Sequence, residues 1–193
     1  NSQHIGKILV DPRDSQTIYV AAEGPLWSSG GDRGLYKSMD SGETWQAALT
    51  INENTGITDI EFDPTNPDVI YAAAYQRRRH VWSLLAGGPE SGIYKSIDAG
   101  TTWRKMETGL PNGDMGKIGL AVTPANPELV YATIEAHRDE RGFYRSMDKG
   151  ESWEHRNGYL SNGTGPHNYQ ELDASPTDPD LVYQMDVVCH VTR

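Results

Sequence analysis

Short apolar runs recur along the chain, and turns rich in Pro, Asn, Asp and Gly separate them. Four stretches share one order of strand, proline turn and second strand: LVDPRDSQTIYVAA, EFDPTNPDVIYAAA, AVTPANPELVYATI and DASPTDPDLVYQMD. Proline cannot donate to a strand ladder, so it marks the turn between two antiparallel strands. The repeat tyrosines Tyr19, Tyr71, Tyr131 and Tyr183 are 52, 60 and 52 residues apart, which gives the chain a regular long period.

A second motif, S-x-D-x-G-x-[TS]-W, occurs three times after the strand patterns GLYKS, GIYKS and GFYRS. We call each copy a box. The aspartate can accept hydrogen bonds from backbone amides two or three residues further on, and the glycine adopts a conformation that a Cβ resists. A single invariant carboxylate per box favours a structural clamp over a calcium loop. We expect the tryptophan of each box to pack into the core: Ser38, Asp40, Gly42 and Trp45; Ser96, Asp98, Gly100 and Trp103; Ser146, Asp148, Gly150 and Trp153.

A period of 50 to 60 residues with four strand candidates per unit is typical of a propeller blade. The predicted fold is all-β, a partial β-propeller of about three and a half four-stranded blades in one domain over 1–193. The blades are expected near 5–50, 56–107, 116–157 and 168–193, the last ending in or just after its second strand. Loops are expected at 23–33, 76–91 and 136–141. Blades from a longer chain or from a second copy are expected to cover the two ends.

The composition of the chain argues against several classes of function. A net charge of −10 and a pI near 5.0 argue against a nucleic-acid partner, because phosphate binding needs concentrated Lys and Arg. No apolar stretch approaches the roughly 20 residues of a membrane span, so no membrane insertion is expected. Cys189 is the single cysteine, which excludes an internal disulfide. Four histidines in different units offer a weak alternative of a shared metal, but we predict neither a metal nor a cofactor: His80, His137, His167 and His190.

The loops opposite the boxes hold the candidate binding residues. Tryptophan faces suit the C–H surfaces of sugars, while Arg and His side chains suit hydroxyl groups. The alternative is that these are ordinary solvated loop residues. The candidates for substrate binding are Trp27, Arg78, His80, Trp82, His137, His167 and Tyr169.

The boxes resemble the Asp-box, or BNR, repeat of sialidases, of oligoxyloglucan-cleaving glycoside hydrolases and of the sortilin/Vps10 ectodomain. The resemblance covers essentially the whole chain, and similar proteins are large secreted bacterial chains described as sortilin-like or as glycosyl hydrolases. It implies that the boxes lie on the blade periphery, away from the ligand face. It also implies a secreted, extracellular or periplasmic location.

The same resemblance suggests catalytic positions. In the oligoxyloglucan-cleaving family an acidic residue follows the repeat tyrosine by four positions, within a stretch like YARTDVGGAYRW. That offset gives Glu23 and Glu135 here, with Asp186 one residue before the matching position, while the following VGGAYRW is absent. The family places its active site between two propellers. The alternative is that these carboxylates pair with arginines or face solvent.

Two functions stay open at this point. One is an extracellular carbohydrate-active propeller, similar to glycoside hydrolases, that binds or cleaves a glycan or polysaccharide. The other is a sortilin-like module that binds peptides or proteins without catalysis. Two carboxylates facing each other across a Trp-lined cleft would favour the first, and an apolar or strand-edge groove would favour the second.

Overall fold

The computed structural model describes residues 2–160, 170–185 and 188–192, and these residues form four antiparallel sheets. Blade 1 holds β1 to β4, blade 2 holds β5 to β9, blade 3 holds β10 to β13 and blade 4 holds β14 to β16. The strands are β1 Ile5–Val10, β2 Ile18–Ala22, β3 Gly34–Ser38, β4 Gln46–Leu49, β5 Thr55–Phe62, β6 Ile70–Arg79, β7 Leu84–Ala86, β8 Gly92–Ser96, β9 Arg104–Lys105, β10 Ile118–Val122, β11 Val130–Ile134, β12 Gly142–Ser146, β13 Glu154–Asn157, β14 Glu171–Ala174, β15 Val182–Met185 and β16 Cys189–Val191.

The predicted all-β partial propeller is confirmed. The first strands of successive blades contact one another, as β1 with β5, β5 with β10 and β10 with β14. No helix in the described part of the chain is long and apolar enough to span a membrane.

Two elements differ from the sequence prediction. The segment 76–91 is a hairpin rather than a loop, because β6 continues through the arginine run and pairs with β7 beside blade 2. Blade 4 also has a third strand, β16, which pairs with β15 through Tyr183 and Val191.

The core lies at the junctions between blades. Each sheet has a leading face toward the preceding blade and a trailing face toward the next. Ile60 and Leu120, on the leading faces of blades 2 and 3, are fully buried against the trailing faces of blades 1 and 2. A similar cluster joins blades 3 and 4 through Tyr131 and Leu172. Burial of these alternating apolar residues supplies the main driving force for the arrangement.

The boxes close the hairpins between the third and fourth strands. In the first, Ser38 Oγ donates to Asp40 Oδ1 at 2.7 Å and accepts the Gly42 amide at 2.8 Å. Asp40 accepts the Thr44 amide at 2.8 Å, so its carboxylate reaches four residues on, not two or three as predicted. The same bonds recur in the second and third boxes. The bonds from Thr44, then Ser38, lower the pKa of Asp40 to about 2.

Burial of the box tryptophan depends on the preceding blade. Trp153 is 6% exposed in the cluster between blades 2 and 3, and Trp103 packs on the cluster between blades 1 and 2. Trp45 is 42% exposed, which differs from the predicted core position. The physical reason is that each box packs on the trailing face of the blade before it, and no described blade precedes blade 1.

A tyrosine hydrogen bond also joins the second and third boxes to the preceding blade. Tyr19 of blade 1 donates to the Ala99 carbonyl in the box of blade 2 at 2.9 Å. Tyr71 of blade 2 donates to the Lys149 carbonyl in the box of blade 3 at 3.0 Å. Ala99 and Lys149 both have a left-handed backbone, with φ of 55° and 57°. We call this contact the tyrosine latch; at the third junction Tyr131 of blade 3 donates instead to the Pro179 carbonyl in the turn between β14 and β15.

Candidate functional site

The loop at 23–33 of blade 1 is organised around one buried arginine. Arg33 is 4% exposed, and its guanidinium donates to the carbonyls of Glu23 at 2.6 Å, Ser28 at 2.9 Å, Gly30 at 3.1 Å and Pro25. Four carbonyl acceptors around one cation fix the course of the loop, because each charge-assisted bond is stronger than a neutral one. The loop therefore presents its exposed side chains from a fixed backbone.

The blade 2 hairpin extends next to this loop. The Arg79 amide donates to the Leu26 carbonyl at 2.8 Å, and the Arg79 guanidinium lies 5.6 Å from the centre of the Trp27 ring. Trp27 is 63% exposed, and Trp82, at the tip of the hairpin, is 90% exposed. A stacked arginine holds the ring of Trp27 in place while its other face stays open to solvent. We call Trp27, Arg79 and Trp82 the aromatic platform.

The remaining predicted binding residues are divided between regions. Arg78 is half-buried on β6, and His80 is exposed in the turn of the hairpin, where its amide donates to the Ser83 carbonyl at 2.7 Å. His137 is exposed in a turn of blade 3, and in the described part of the chain no hydrogen bond or ring contact joins it to the aromatic platform. The predictions for His167, Tyr169 and Asp186 lie outside the described residues.

The two described candidate carboxylates both lie near one buried tyrosine, Tyr75. Glu23 forms an ion pair with Arg77, whose Nη2 is 2.8 Å from Oε2 of the carboxylate. Glu135 accepts the Lys117 amide at 3.1 Å. Burial raises the pKa of Tyr75 and the charges of Glu135 and Glu23 raise it further, while the nearby Arg77 lowers it. Glu23, Tyr75 and Glu135 each follow the repeat tyrosine by four residues, in blades 1, 2 and 3.

A polar cavity of about 430 Å³ lies where the first strands of all four blades converge, and its lining includes Gly6, Lys7, Asp59, Ile118, Gln170 and Asp173. Lys7 of blade 1 contacts Asp59 at 3.0 Å and Glu61 at 2.6 Å, both from blade 2. Asp59 also accepts the Leu120 amide of blade 3 at 2.8 Å. One ammonium and one carboxylate thus connect three blades at the centre of the fold.

This cluster has unusual acid–base properties. Burial raises the pKa of Glu61 to about 7, with Lys7 opposing the shift and Asp59 reinforcing it. Burial likewise raises the pKa of Asp59, against the effect of Lys7. For Lys7 burial acts downward, but the two carboxylates raise its pKa above the ordinary value. Because one ammonium serves two carboxylates, one of them holds its proton near neutral pH.

Sequence reasoning missed this cluster. The signal for it in the sequence was the stretch ITDIEF, in which the acidic residues Asp59 and Glu61 alternate with the apolar Ile60 and Phe62. By register, the position of Glu61 is Leu9 in blade 1, Ala121 in blade 3 and Asp173 in blade 4, so blades 2 and 4 carry a carboxylate where blades 1 and 3 are apolar. Among residues 2–160, 170–185 and 188–192, no group of three His, Cys, Asp or Glu side chains is placed to hold a metal ion.

Comparison with known proteins finds likeness at the level of fold. Neither a protein-family model nor a curated protein sequence matches the chain. Similar solved structures include the GH74 xyloglucanase from Xanthomonas campestris, with a TM-score of 0.66 and 21% identity over 97% of this chain and 27% of its own. The GH74 enzyme of Niastella koreensis has a TM-score of 0.66 and 18% identity over 97% and 28% of the respective chains.

A third similar structure is an oligogalacturonate lyase in complex with manganese, with a TM-score of 0.57 and 13% identity over 98% of this chain and 48% of its own. At these identities the likeness shows a shared propeller fold. The chain spans about 27% of the length of the first of these structures and 28% of the second.

Proposed function

We propose that this chain is part of a carbohydrate-binding propeller, with the aromatic platform as the glycan site. The observation that carries the proposal is the exposure of two tryptophans, Trp27 and Trp82, on adjacent segments that hydrogen bond to each other. Large exposed aromatic surfaces are costly unless a ligand covers them, and indole faces suit the C–H surfaces of sugar rings.

The polar surroundings support the same ligand. The Arg79 guanidinium stacks on Trp27, and His80 is exposed next to it along β6 and its turn. Such groups donate hydrogen bonds to hydroxyls at the edges of a sugar that stacks on an indole. Arg33 adds rigidity below the platform, so little loop entropy is lost when the ligand binds.

Binding is better supported than cleavage. Glycoside hydrolysis needs a protonated carboxylic acid and a second carboxylate on opposite sides of the scissile bond. Glu23 is ion-paired with Arg77, and the carboxyl whose pKa is raised to about 7, Glu61, is hydrogen-bonded by Lys7. Glu23 and Glu135 therefore remain proposed catalytic residues whose test is separate from the test of binding.

The ligand class follows from the fold and the platform together. Two of the similar propellers belong to GH74, and one of them is a xyloglucanase, so xyloglucan oligosaccharides are the first probe. A polysaccharide of this kind lies outside the cell, which agrees with the secreted or periplasmic location inferred from the resemblance.

Binding is tested by calorimetry of the 193-residue chain with xyloglucan oligosaccharides and a panel of other glycans. We expect Trp82→Ala to weaken binding by roughly tenfold or more, as for other aromatic anchors. Trp45→Ala is the matched control, because it removes an exposed tryptophan from the box and should leave affinity unchanged. Equal affinities for all three proteins, or no glycan binding by the unmodified chain, would contradict the proposal.

Cleavage is tested in parallel by release of reducing ends from the same glycans. Glu23→Gln and Glu135→Gln should abolish release without changing affinity if these carboxylates are catalytic. Binding without release in the unmodified chain would leave the binding proposal intact and remove the catalytic one.

A sortilin-like peptide-binding module remains the second candidate. The observation that favours it is the apolar hairpin tip, where Val81 is 78% exposed next to Trp82. Peptide side chains can cover such a tip as well as sugars can. Selection of peptides from a library, with loss of binding in Trp82→Ala and no response to glycans, would favour this function.

A further inference from the structure

The region around the aromatic platform concentrates positive charge in an otherwise acidic chain. The loop of blade 1 and the hairpin of blade 2 together contain four arginines, although the whole chain carries −10: Arg33, Arg77, Arg78 and Arg79. Burial lowers the pKa of Arg33, and the charges of Arg77 and Arg78 lower it further. The nearby carboxylate of Glu23 opposes that shift. The guanidinium groups therefore lie close enough to repel one another.

Little of this positive charge is neutralised. The ion pair of Arg77 with Glu23 is the one that any of the four arginines forms in the described part of the chain. Arg33 donates to carbonyl oxygens, which leave its charge in place. The Nε atoms of Arg77 and Arg78 are buried and have no hydrogen-bond partner among the described residues.

Two further carboxylates near this region form no ion pair with the four arginines in the described part of the chain. Asp32 lines a separate pocket together with Tyr36 and Trp45. Burial raises the pKa of Tyr36, and the charge of Asp32 raises it further, so this carboxylate acts on a different part of blade 1. Glu53 is exposed in the neighbouring turn, where its backbone carbonyl accepts the Gly30 amide at 2.7 Å.

Arg79 is the arginine of this group that a ligand can reach. It is exposed at the end of β6, and its guanidinium lies 5.6 Å from the centre of the Trp27 ring. Among the described residues this ring contact is the one interaction that its side chain makes. A stacked guanidinium keeps the N–H groups at its edge available, and such an edge binds a carboxylate or a sulfate through two parallel hydrogen bonds.

We propose that the aromatic platform binds an acidic glycan. A carboxylate on the sugar pairs with the edge of the Arg79 guanidinium, while the C–H face of the same sugar or its neighbour stacks on an exposed indole. This inference rests on the glycan-binding function proposed above and adds the charge of the ligand. A neutral sugar would use the same indoles but would leave the guanidinium edge to water.

The negative charge of the whole chain does not prevent this recognition at physiological salt. At an ionic strength of about 0.15 M the Debye length is about 8 Å, so carboxylates elsewhere on the chain are screened from the ligand. A carboxylate in direct contact with Arg79 lies within that length. The local arginines therefore decide the preference, and it is measured at this ionic strength.

The test is calorimetry of the 193-residue chain at neutral pH with an oligomer of glucuronic acid and with its methyl ester. The ester keeps the backbone of the oligomer and lacks the charge. We expect the acid to bind roughly tenfold more tightly, because it adds a charge-assisted pair of hydrogen bonds. Arg79→Gln should remove this preference, and Arg79→Lys should retain part of it, since an ammonium keeps the charge but not the planar edge.

Folding is retained in both variants, because the side chain is exposed and the backbone amide at this position still binds the Leu26 carbonyl. Arg138→Gln is the matched control. Arg138 is exposed in a turn of blade 3 and has no ion pair in the described part of the chain, so loss of its charge should leave the preference unchanged.

The possible failures are distinct from one another. Equal affinities for the acid and the ester would overturn the inference and leave the glycan proposal standing. A preference that persists in Arg79→Gln, or that Arg138→Gln removes as well, would overturn the assignment to Arg79. Absence of binding to the acid, the ester and every other glycan of the panel would contradict both proposals.

Discussion

The boxes on the outer rim are nearly identical to one another, whereas blade 2 differs from the blades on either side of it. On the rim, three boxes repeat the same hydrogen bonds, and the amide bond to the serine hydroxyl measures 2.8, 2.9 and 2.7 Å in turn. Blade 2 departs from its neighbours in two places: an extended hairpin replaces a loop, and on the first strand Glu61 stands where blades 1 and 3 have Leu9 and Ala121. The repeated residues specify the scaffold. The residues that depart from the repeat give blade 2 an exposed hairpin and a buried carboxylate that the neighbouring blades lack.

The largest expected effect on stability comes from the box tryptophans, and it tests whether the same residue contributes equally in different blades. Trp153→Ala removes a buried ring from a blade junction and should lower the free energy of unfolding by about 3–5 kcal/mol. Trp45→Ala, the same change in a half-exposed ring, should cost about 1 kcal/mol or less. Urea denaturation at constant slope measures both, and equal losses would show that packing on the preceding blade is not what anchors the box.

An effect of intermediate size on stability is expected from Glu61, the buried carboxylate near the centre of the fold. The folded protein binds the Glu61 proton more tightly than the unfolded chain, with a pKa of about 7 against 4.5. The free energy of unfolding should therefore fall, by up to about 3 kcal/mol, as pH rises from about 4.5 to about 7.

Glu61→Gln should flatten that decline, because glutamine stays neutral throughout. Glu43→Gln, on the exposed first box, is the control and should keep the slope of the unmodified chain. The measurement is thermal unfolding across the pH range, with Lys7, Asp59 and Asp173 unchanged in each protein. Parallel curves for Glu61→Gln and the unmodified chain would contradict the assigned pKa.

The smallest effect concerns the tyrosine latch. Tyr71→Phe removes one hydrogen bond at a junction and should lower the free energy of unfolding by about 1 kcal/mol, since Lys95 still donates to the same carbonyl. Tyr183→Phe should leave stability unchanged, because Tyr183 is 36% exposed and no hydrogen bond of its hydroxyl to a box is seen in the described part of the chain. Chemical denaturation at low protein concentration compares them, and a similar loss in both would argue against the latch.

Much of the scaffold follows from sequence because its signals are local. The strands GLYKS, GIYKS and GFYRS have the predicted bounds, and Gly42 adopts the expected left-handed backbone with a φ of 91°. Alternation and turn residues act over a few positions, so a repeated pattern predicts them reliably. The proline turns and the position of the repeat tyrosine are recognisable for the same reason.

What could not be predicted depends on contacts between blades or on unusual pairing. Three consecutive arginines suggest a solvated loop, yet Arg77 and Arg79 belong to β6 because Leu84–Ala86 completes a hairpin. The partners of Glu61 come from another blade, 54 residues away in the case of Lys7. Exposure of Trp45 depends on a neighbouring sheet, which no pattern within its own box encodes.

The acceptor in each tyrosine latch belongs to the peptide backbone, and this affects how such a protein evolves. Ala99 and Lys149 occupy the same site with unrelated side chains, because the latch itself uses only the carbonyl, while the Lys149 ammonium separately pairs with Asp63 of the preceding blade. A duplicated blade could join the ring without a compensating substitution in its neighbour. The latch therefore tolerates different side chains at this position, and blade number can change by gene duplication while the joint between blades stays the same.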